Sequence, residues 1–466
     1  MCELIPDFGI LTTFRILVDQ DQEVLRDKLH SGGAAKRTIL IVPLLASEYT
    51  ISENLPVFEN ILNQLAQVQY LHTIIFGLDQ ADEADANFLR ELLIKHEIPN
   101  WIIQWNDGPV FSRIYQMLHS KEMVTLAPGK GKNIFLSFGL CLAMKAKAVA
   151  LLDADIRSFD AIQLDRLLYP VIVHNYDFSK AYYTRISDGQ LYGRVKRLLV
   201  TPLLLALKAK FVAPKDRRLL ELIEYLLQFN YPLSGEVAFG ANVLGKLRFA
   251  TNWGAEMFTL TEIYRKGVSA AQVEFATEPF EHKHQPACEH DPQRGLNKMA
   301  VDIVTTLIHT LTRNEGLEIT DSFFTDLHLI FNDMLEKLTK SYADESAFNH
   351  LTYDRDDEVQ LAERVFAKSI LRAGEIFADR TAEVKNLLRL VYRYPHHKSS
   401  AWSAYSESIF DVSTSSQSGV IEDHVTHSWE QILQQLPQVF GVLLAAMEKE
   451  RFRFSQLDHT EERLAS

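Results

Sequence analysis

The stretch Ala148–Asp160, AVALLDADIRSFD, carries an apolar run into two aspartates one residue apart, Asp153 and Asp155. A short apolar run that stops abruptly in charge predicts a buried strand whose carboxyl end lies at a polar rim. Two like charges at i and i+2 repel each other. A hard divalent cation shared between them relieves the repulsion and keeps open positions for the oxygens of a diphosphate. The pattern alone is a weak signal, because the chain repeats Asp-x-Asp at Asp19 with Asp21 and at Asp354 with Asp356. The first of these even follows an apolar triplet, Ile16–Val18, so the surroundings of Asp153 and Asp155 must separate the three.

Those surroundings are a series of similar runs: TILIVPLL around Leu40, HTIIFGLD around Ile75 and WIIQW at Trp101–Trp105. Helical patterns lie between them, and strands alternating with helices imply an α/β unit, a parallel sheet covered on both faces. Each run ends in polar residues, namely Glu48, Asp79, the cluster Asn106–Pro109 and the two aspartates. Ligands of such sheets sit beyond the carboxyl ends of the strands, so these groups are expected on one rim. From Tyr182 to about His290 short strand-like pieces (KAYYTR, AQVEFA) mix with helices such as Gly193 to Ala209, which predicts completion of the sheet and of the cleft. Beyond Gly295 helical periodicity dominates, and the polar stretch Asp411–Gly419 reads as a loop. The expected division is an α/β domain over 1–290 and a helical C-terminal domain over 291–466.

Composition narrows the function classes. The 466 residues are 47% hydrophobic and 23% charged, the profile of a folded globular protein. A formal charge of −13 speaks against nucleic acid and anionic lipid as partners. The one basic segment, Lys208–Arg218, reads as a solvated face or loop. Three distant cysteines give no disulfide framework, and the amino terminus shows neither a basic n-region nor a small-residue cleavage site, so a cytoplasmic protein is expected. The longest apolar run, Leu198–Leu207, is about half the roughly 20 residues that a membrane span needs and predicts a buried helix.

Three further clusters bear on chemistry. EPFEHKHQPACEH offers His282, His284, Cys288 and His290 at spacings that fit no usual structural zinc site. Two histidines at i and i+2 in an extended segment point the same way, so either could reach a metal held by the aspartates; surface histidines in a polar loop are the plainer reading. PGKGKN, Pro128–Asn133, sets lysines among glycines before a helical pattern, which suits an anion on backbone N–H groups, though it matches neither a Walker loop nor a dinucleotide fingerprint. YGRVKRL, Tyr192–Leu198, puts Arg194 and Arg197 at a helix start, where cations oppose the helix dipole unless an anion answers them or solvent screens them.

In order and spacing, VPLLASE (Val42–Glu48), GLDQAD (Gly77–Asp82), GKG (Gly129–Gly131), DADI, GRV before TPLLLAL, YPLSGE (Tyr231–Glu236), WGAE (Trp253–Glu256) and HKHQ resemble the glucosyl-3-phosphoglycerate synthases of glycosyltransferase family 81, over roughly Leu40–Gln285. The resemblance implies a GT-A fold and a retaining transfer of glucose from a nucleotide sugar, UDP- or GDP-glucose, to the 2-hydroxyl of 3-phosphoglycerate, a step toward the compatible solute glucosylglycerate. It implies Mg2+ or Mn2+ as cofactor, a DXD-type metal turn and a homodimer with the helical tail as interface. Carried over by position, Pro43 and Glu48 bracket the base and ribose with Asp79 near the base. Lys130 contacts the donor and assists the leaving group, and Asp153 lies on the sugar and ribose side. Asp155 and His282 hold the metal. Gly193, Arg194 and Val195 take the acceptor's anionic groups, and Glu256 faces the sugar hydroxyls or the reacting hydroxyl as an orienting group, a nucleophile or a base.

Three departures fall on the acceptor side. Lys196 stands where the family commonly has Thr, Phe280 where it has Arg, and His284 where it has Asn. A lysine at 196 would replace a lost guanidinium only as a point charge. The alternatives are a mannosylglycerate-type synthase using GDP-mannose and glycerate, and a sugar-nucleotide-binding protein without turnover, which the intact Asp153, Asp155 and His282 disfavour.

Overall fold

The structure, a computed structural model, describes residues 11–18, 20–124, 129–212, 216–281, 291, 294–379 and 425–464. Its centre is an eight-stranded sheet with the order β1-β10-β6-β9-β5-β2-β3-β4. The strands are β1 (Leu11–Phe14), β2 (Ile39–Leu45), β3 (Thr73–Asp79), β4 (Trp101–Trp105), β5 (Ala148–Leu151), β6 (Phe178–Tyr182), β9 (Val237–Gly240) and β10 (Ala270–Glu274); β7 (Ile186–Ser187) and β8 (Gln190–Leu191) form a separate hairpin. All neighbours run parallel except β9, which is antiparallel to both β5 and β6. The four expected runs are thus adjacent parallel strands, while β9, which follows YPLSGE, is not among the expected strands.

Period-two geometry explains why those runs are apolar throughout. Ile39 and Ile41 of β2, Ile75 of β3, and Val149 and Leu151 of β5 enter one hydrophobic cluster. Leu40, Val42 and Leu44, with Ile74, Phe76, Ala148 and Ala150, enter the other, beneath helices Leu55–Leu65, Glu83–Lys95 and Ala161–Val173. Each face has its own core, so neither can be polar. The helices after Gly295 join the first of these cores: Val304, Leu307, Phe331, Phe366 and Leu443 belong to the same cluster as Ile41 and Val149. Trp429 is fully buried, stacks on Phe135 at 4.8 Å between ring centroids and donates its indole N–H to the Phe135 carbonyl at 3.1 Å.

The buried helix expected near Leu198–Leu207 is present, split into a π-helical stretch, Lys196–Val200, and an α-helix, Thr201–Val212. Of the basic segment at 208–218, residues up to 212 end helix Thr201–Val212 and those from 217 begin helix Arg217–Leu227; Lys208 pairs with Glu224 at 3.0 Å and Lys210 with Asp326 at 3.1 Å. Among the described residues no helix is long and apolar enough to cross a membrane. The loop expected at Asp411–Gly419 lies outside the described residues.

Candidate active site at the strand ends

The carboxyl ends of β2, β3, β4 and β5 lie side by side, and their polar residues meet there. The Ala46 N–H donates to the Asp79 carbonyl at 3.2 Å, the Asn106 N–H to the Leu78 carbonyl at 2.9 Å, and the Leu152 N–H to the Ile41 carbonyl at 3.0 Å. Asp79, the last residue of β3, accepts from Asn106 Nδ2 at 2.9 Å and Asn133 Nδ2 at 3.1 Å. Burial pushes its carboxyl above the usual aspartate range, an effect those two amides and Lys132 only partly offset. Pro43 is buried in β2 opposite Gly77, just past the residues that pair with β5, where a missing N–H breaks no ladder bond on that side. Glu48 lies in the short helix Ser47–Thr50 that caps the same strand.

The three Asp-x-Asp pairs now separate physically. Asp21 accepts from the N–H groups of Glu23 and Val24 and caps helix Gln22–Lys36. Asp354 accepts from the Asp357 N–H and caps helix Arg355–Leu361. Both are N-caps, a purely local use of a carboxylate; Asp19 lies outside the described residues. Asp153 and Asp155 cap no helix. They sit half-buried in the turn after β5, while Ala154 and Ile156 point into the core and fix the turn's orientation.

Asp153 is ion-paired to Lys130, the first residue of helix Lys130–Ala143. Two glycines allow this approach. A Cβ on Gly131 would stand 2.6 Å from both the Ala250 carbonyl oxygen and Thr251 Cα, so only glycine lets the helix start so close to that loop. A Cβ on Gly235 would stand 2.4 Å from Asp153 Oδ2 and 2.6 Å from Lys130 Nζ. Because β9 runs antiparallel, the YPLSGE turn before it arrives at the same rim and closes over the Lys130–Asp153 pair.

A residue the sequence reading passed over sits beneath that turn. Lys180, in the middle of β6, is 2% exposed and donates to the Ser234 carbonyl at 2.7 Å; Ser234 Oγ in turn donates to the Ala181 carbonyl at 2.7 Å. Lys130, Lys180, Gly235 and Glu256 line one small cavity. Burial pushes Lys180 down to about 8, with Glu256 and Glu236 partly opposing it. Desolvation acts on Lys130 too, but Asp153 and Glu256 outweigh it and hold that ammonium above the usual lysine range. One pocket thus contains two lysines that their surroundings push in opposite directions. Glu236 is fully buried and accepts from the Tyr183 hydroxyl at 2.8 Å.

The residues expected on the acceptor side lie near the acidic turn through Arg185 and Tyr231. Arg185, after β6, is hydrogen-bonded to Tyr231, and Asp155 adds to the charges favouring its guanidinium form. The Tyr231 hydroxyl lies 3.3 Å from where a Cβ on Gly193 would be, and Gly193 has a left-handed φ of 78°. Val195 is buried; burial pushes Lys196 below the usual lysine range, with Arg197 adding to the effect and Glu345 opposing it. Arg194 and Arg197, whose cations oppose the helix dipole, share a carboxylate from the C-terminal region: Glu358 accepts from Arg194 Nε at 3.0 Å and lies 2.7 Å from Arg197 Nη1.

His282 and His284 lie outside the described residues; the last described residue before them, Glu281, is tied to the turn that follows the aspartates. The Glu281 carbonyl accepts from the Arg157 N–H at 2.9 Å, two residues past Asp155, and the Glu281 N–H donates to Ser158 Oγ at 3.1 Å. Phe280 is committed to the core, 3.9 Å from the Tyr183 ring centroid to centroid.

Comparison with known proteins gives the class first: the chain is a glycosyltransferase. A protein named glucosyl-3-phosphoglycerate synthase from Persephonella marina is 32% identical over 376 residues, 80% of this chain and 89% of the relative. Another of the same name from Methanococcoides burtonii is 28% identical over 369 residues, 78% of this chain and 88% of the relative. The chain belongs to the glucosyl-3-phosphoglycerate synthase family. No protein-family model matches it. Among solved structures it is similar to a glucosyl-3-phosphoglycerate synthase from Mycobacterium tuberculosis in complex with Mn2+, UDP and phosphoglyceric acid, at 20% identity and a TM-score of 0.45 over 64% of this chain and 85% of that one.

Proposed function

We propose that the protein transfers glucose from UDP- or GDP-glucose to the 2-hydroxyl of 3-phosphoglycerate with retention of configuration, using Mg2+ or Mn2+. The observation that carries this reading is the Lys130–Asp153 pair under the YPLSGE turn, in a chain whose relatives over most of its length share that activity's name. Pro43, Glu48 and Asp79 lie along the neighbouring strand ends and take the nucleoside, with Asp153 on the ribose and sugar side. Asp155 and His282 are the metal ligands. A carboxylate oxygen suits a hard divalent cation, and Glu281, the residue before His282, accepts from the Arg157 N–H just past the aspartate turn. A cation bound there supplies Lewis-acid stabilisation of the charge that builds on the departing diphosphate.

The chain's own groups do the rest. Lys130, held charged, adds a donor to the leaving group at no reorganisation cost. Glu256, in the first turn of helix Ala255–Arg265, lines the cavity with both lysines and orients the sugar hydroxyls. Gly193, Arg194 and Val195 receive the acceptor's anionic groups, with Lys196 and His284 as further acceptor-binding residues. The test is product analysis with Mg2+ or Mn2+ over UDP-, GDP- and ADP-glucose and GDP-mannose against 3-phosphoglycerate and glycerate. Glucosyl-3-phosphoglycerate is the expected product, and turnover with glycerate alone would refute the assignment.

A further inference from the structure

Arg197 has committed its guanidinium to the scaffold. Nε and Nη2 donate to the Tyr192 and Leu191 carbonyls at 3.0 Å each, Nη1 faces Glu358, and the plane lies over the rings of Tyr342 and Tyr353 at 5.2 and 5.6 Å. Arg194 has not. Glu358 takes only its Nε, its side chain is 38% exposed, and its two Nη groups have no protein partner among the described residues. Glu358 is itself 5% exposed and stands on helix Arg355–Leu361. The segment before that helix is tied to the same arm: the Thr352 N–H donates to the Gly189 carbonyl at 2.8 Å, in the turn between β7 and β8.

We infer that Glu358 is a positioning residue for the acceptor, fixing Arg194 from behind through Nε so that its Nη edge faces the incoming anion. This rests on the reading that Arg194 receives the acceptor. A guanidinium presents two hydrogen-bonding edges, and a carboxylate on one leaves a planar fork on the other for a phosphate or carboxylate. Glu358 gains its own rigidity from the buried Arg197. Through Glu358 the helical region after Gly295 therefore completes the acceptor side of the site.

The experiment is calorimetric titration of the full chain with 3-phosphoglycerate, and separately with UDP-glucose and Mg2+, for the wild type, Glu358→Gln and Glu358→Ala. Glu358→Gln keeps the shape and an acceptor for Nε while losing the charge, and it covers the case in which Glu358→Ala, which strands Arg197, does not fold. The expected result is acceptor binding weakened about tenfold or more in either folded variant, ~1.4 kcal/mol, with donor binding unchanged. Equal weakening of both ligands would reduce Glu358 to a structural ion pair and overturn the inference. So would acceptor binding as tight as wild type, or tighter, since a tighter value would make Glu358 a competitor of the acceptor. If the wild type itself does not bind 3-phosphoglycerate, the functional assignment fails and this inference falls with it.

Discussion

Replacing Gly235 by alanine places one methyl group against the two charged atoms at the centre of the site. The new Cβ would stand 2.4 Å from Asp153 Oδ2, 2.6 Å from Lys130 Nζ and 2.9 Å from Asp153 Cγ. Ordinary contact requires both side chains to retreat by about 1 Å, and a misplacement of that size typically costs on the order of 100-fold in rate. The stability cost is small by comparison. The displaced atoms are the ends of flexible side chains, 34% exposed for Lys130 and 19% for Asp153, so the low end of the overpacking range, about 1 kcal/mol, is expected. Gly441→Ala is the control, because a Cβ there meets nothing within 4 Å. Urea denaturation and steady-state kinetics on the two variants should show Gly235→Ala folded but about 100-fold slower, and Gly441→Ala close to wild type. Wild-type turnover by Gly235→Ala would refute the claim that the Lys130–Asp153 pair is aligned for catalysis.

Lys180 makes stability depend on pH with a definite sign. Its folded value of about 8 lies below the ordinary 10.5, so the unfolded chain binds the proton more tightly, and stability rises as pH climbs from about 8 toward 10.5. Relative to Lys180→Met, the wild type should gain about 2–3 kcal/mol between pH 7 and pH 10 in urea denaturation. Trp429→Ala removes a fully buried ring stacked on Phe135 and should cost ~3–5 kcal/mol, read from the denaturation midpoint. Asp354→Ala removes an N-cap and should cost ~1 kcal/mol without altering Mn2+ affinity.

Much of this architecture is legible in the chain, for a physical reason. Parallel strands buried on both faces cannot alternate with polar residues, so β2 to β5 announce themselves as apolar runs, and their charged ends mark the rim. Where local chemistry had two uses, the sequence could not choose. Asp21 and Asp354 carry the same motif as the aspartate turn, and only the N–H groups they accept from identify them as caps. Long-range pairing was hidden altogether. Arg194 and Arg197 signalled a missing anion through their clash with the helix dipole, but their partner Glu358 lies more than 150 residues downstream. Lys180 sat inside an unremarkable strand, KAYYTR, and acquired its meaning only when the YPLSGE turn folded over it.

The most direct test of the account is Mn2+ binding followed by electron paramagnetic resonance in the presence of UDP. The account predicts one tight site per chain in the wild type, lost in Asp155→Ala and His282→Ala and retained in Asp19→Ala. A wild-type site that survives Asp155→Ala would contradict it.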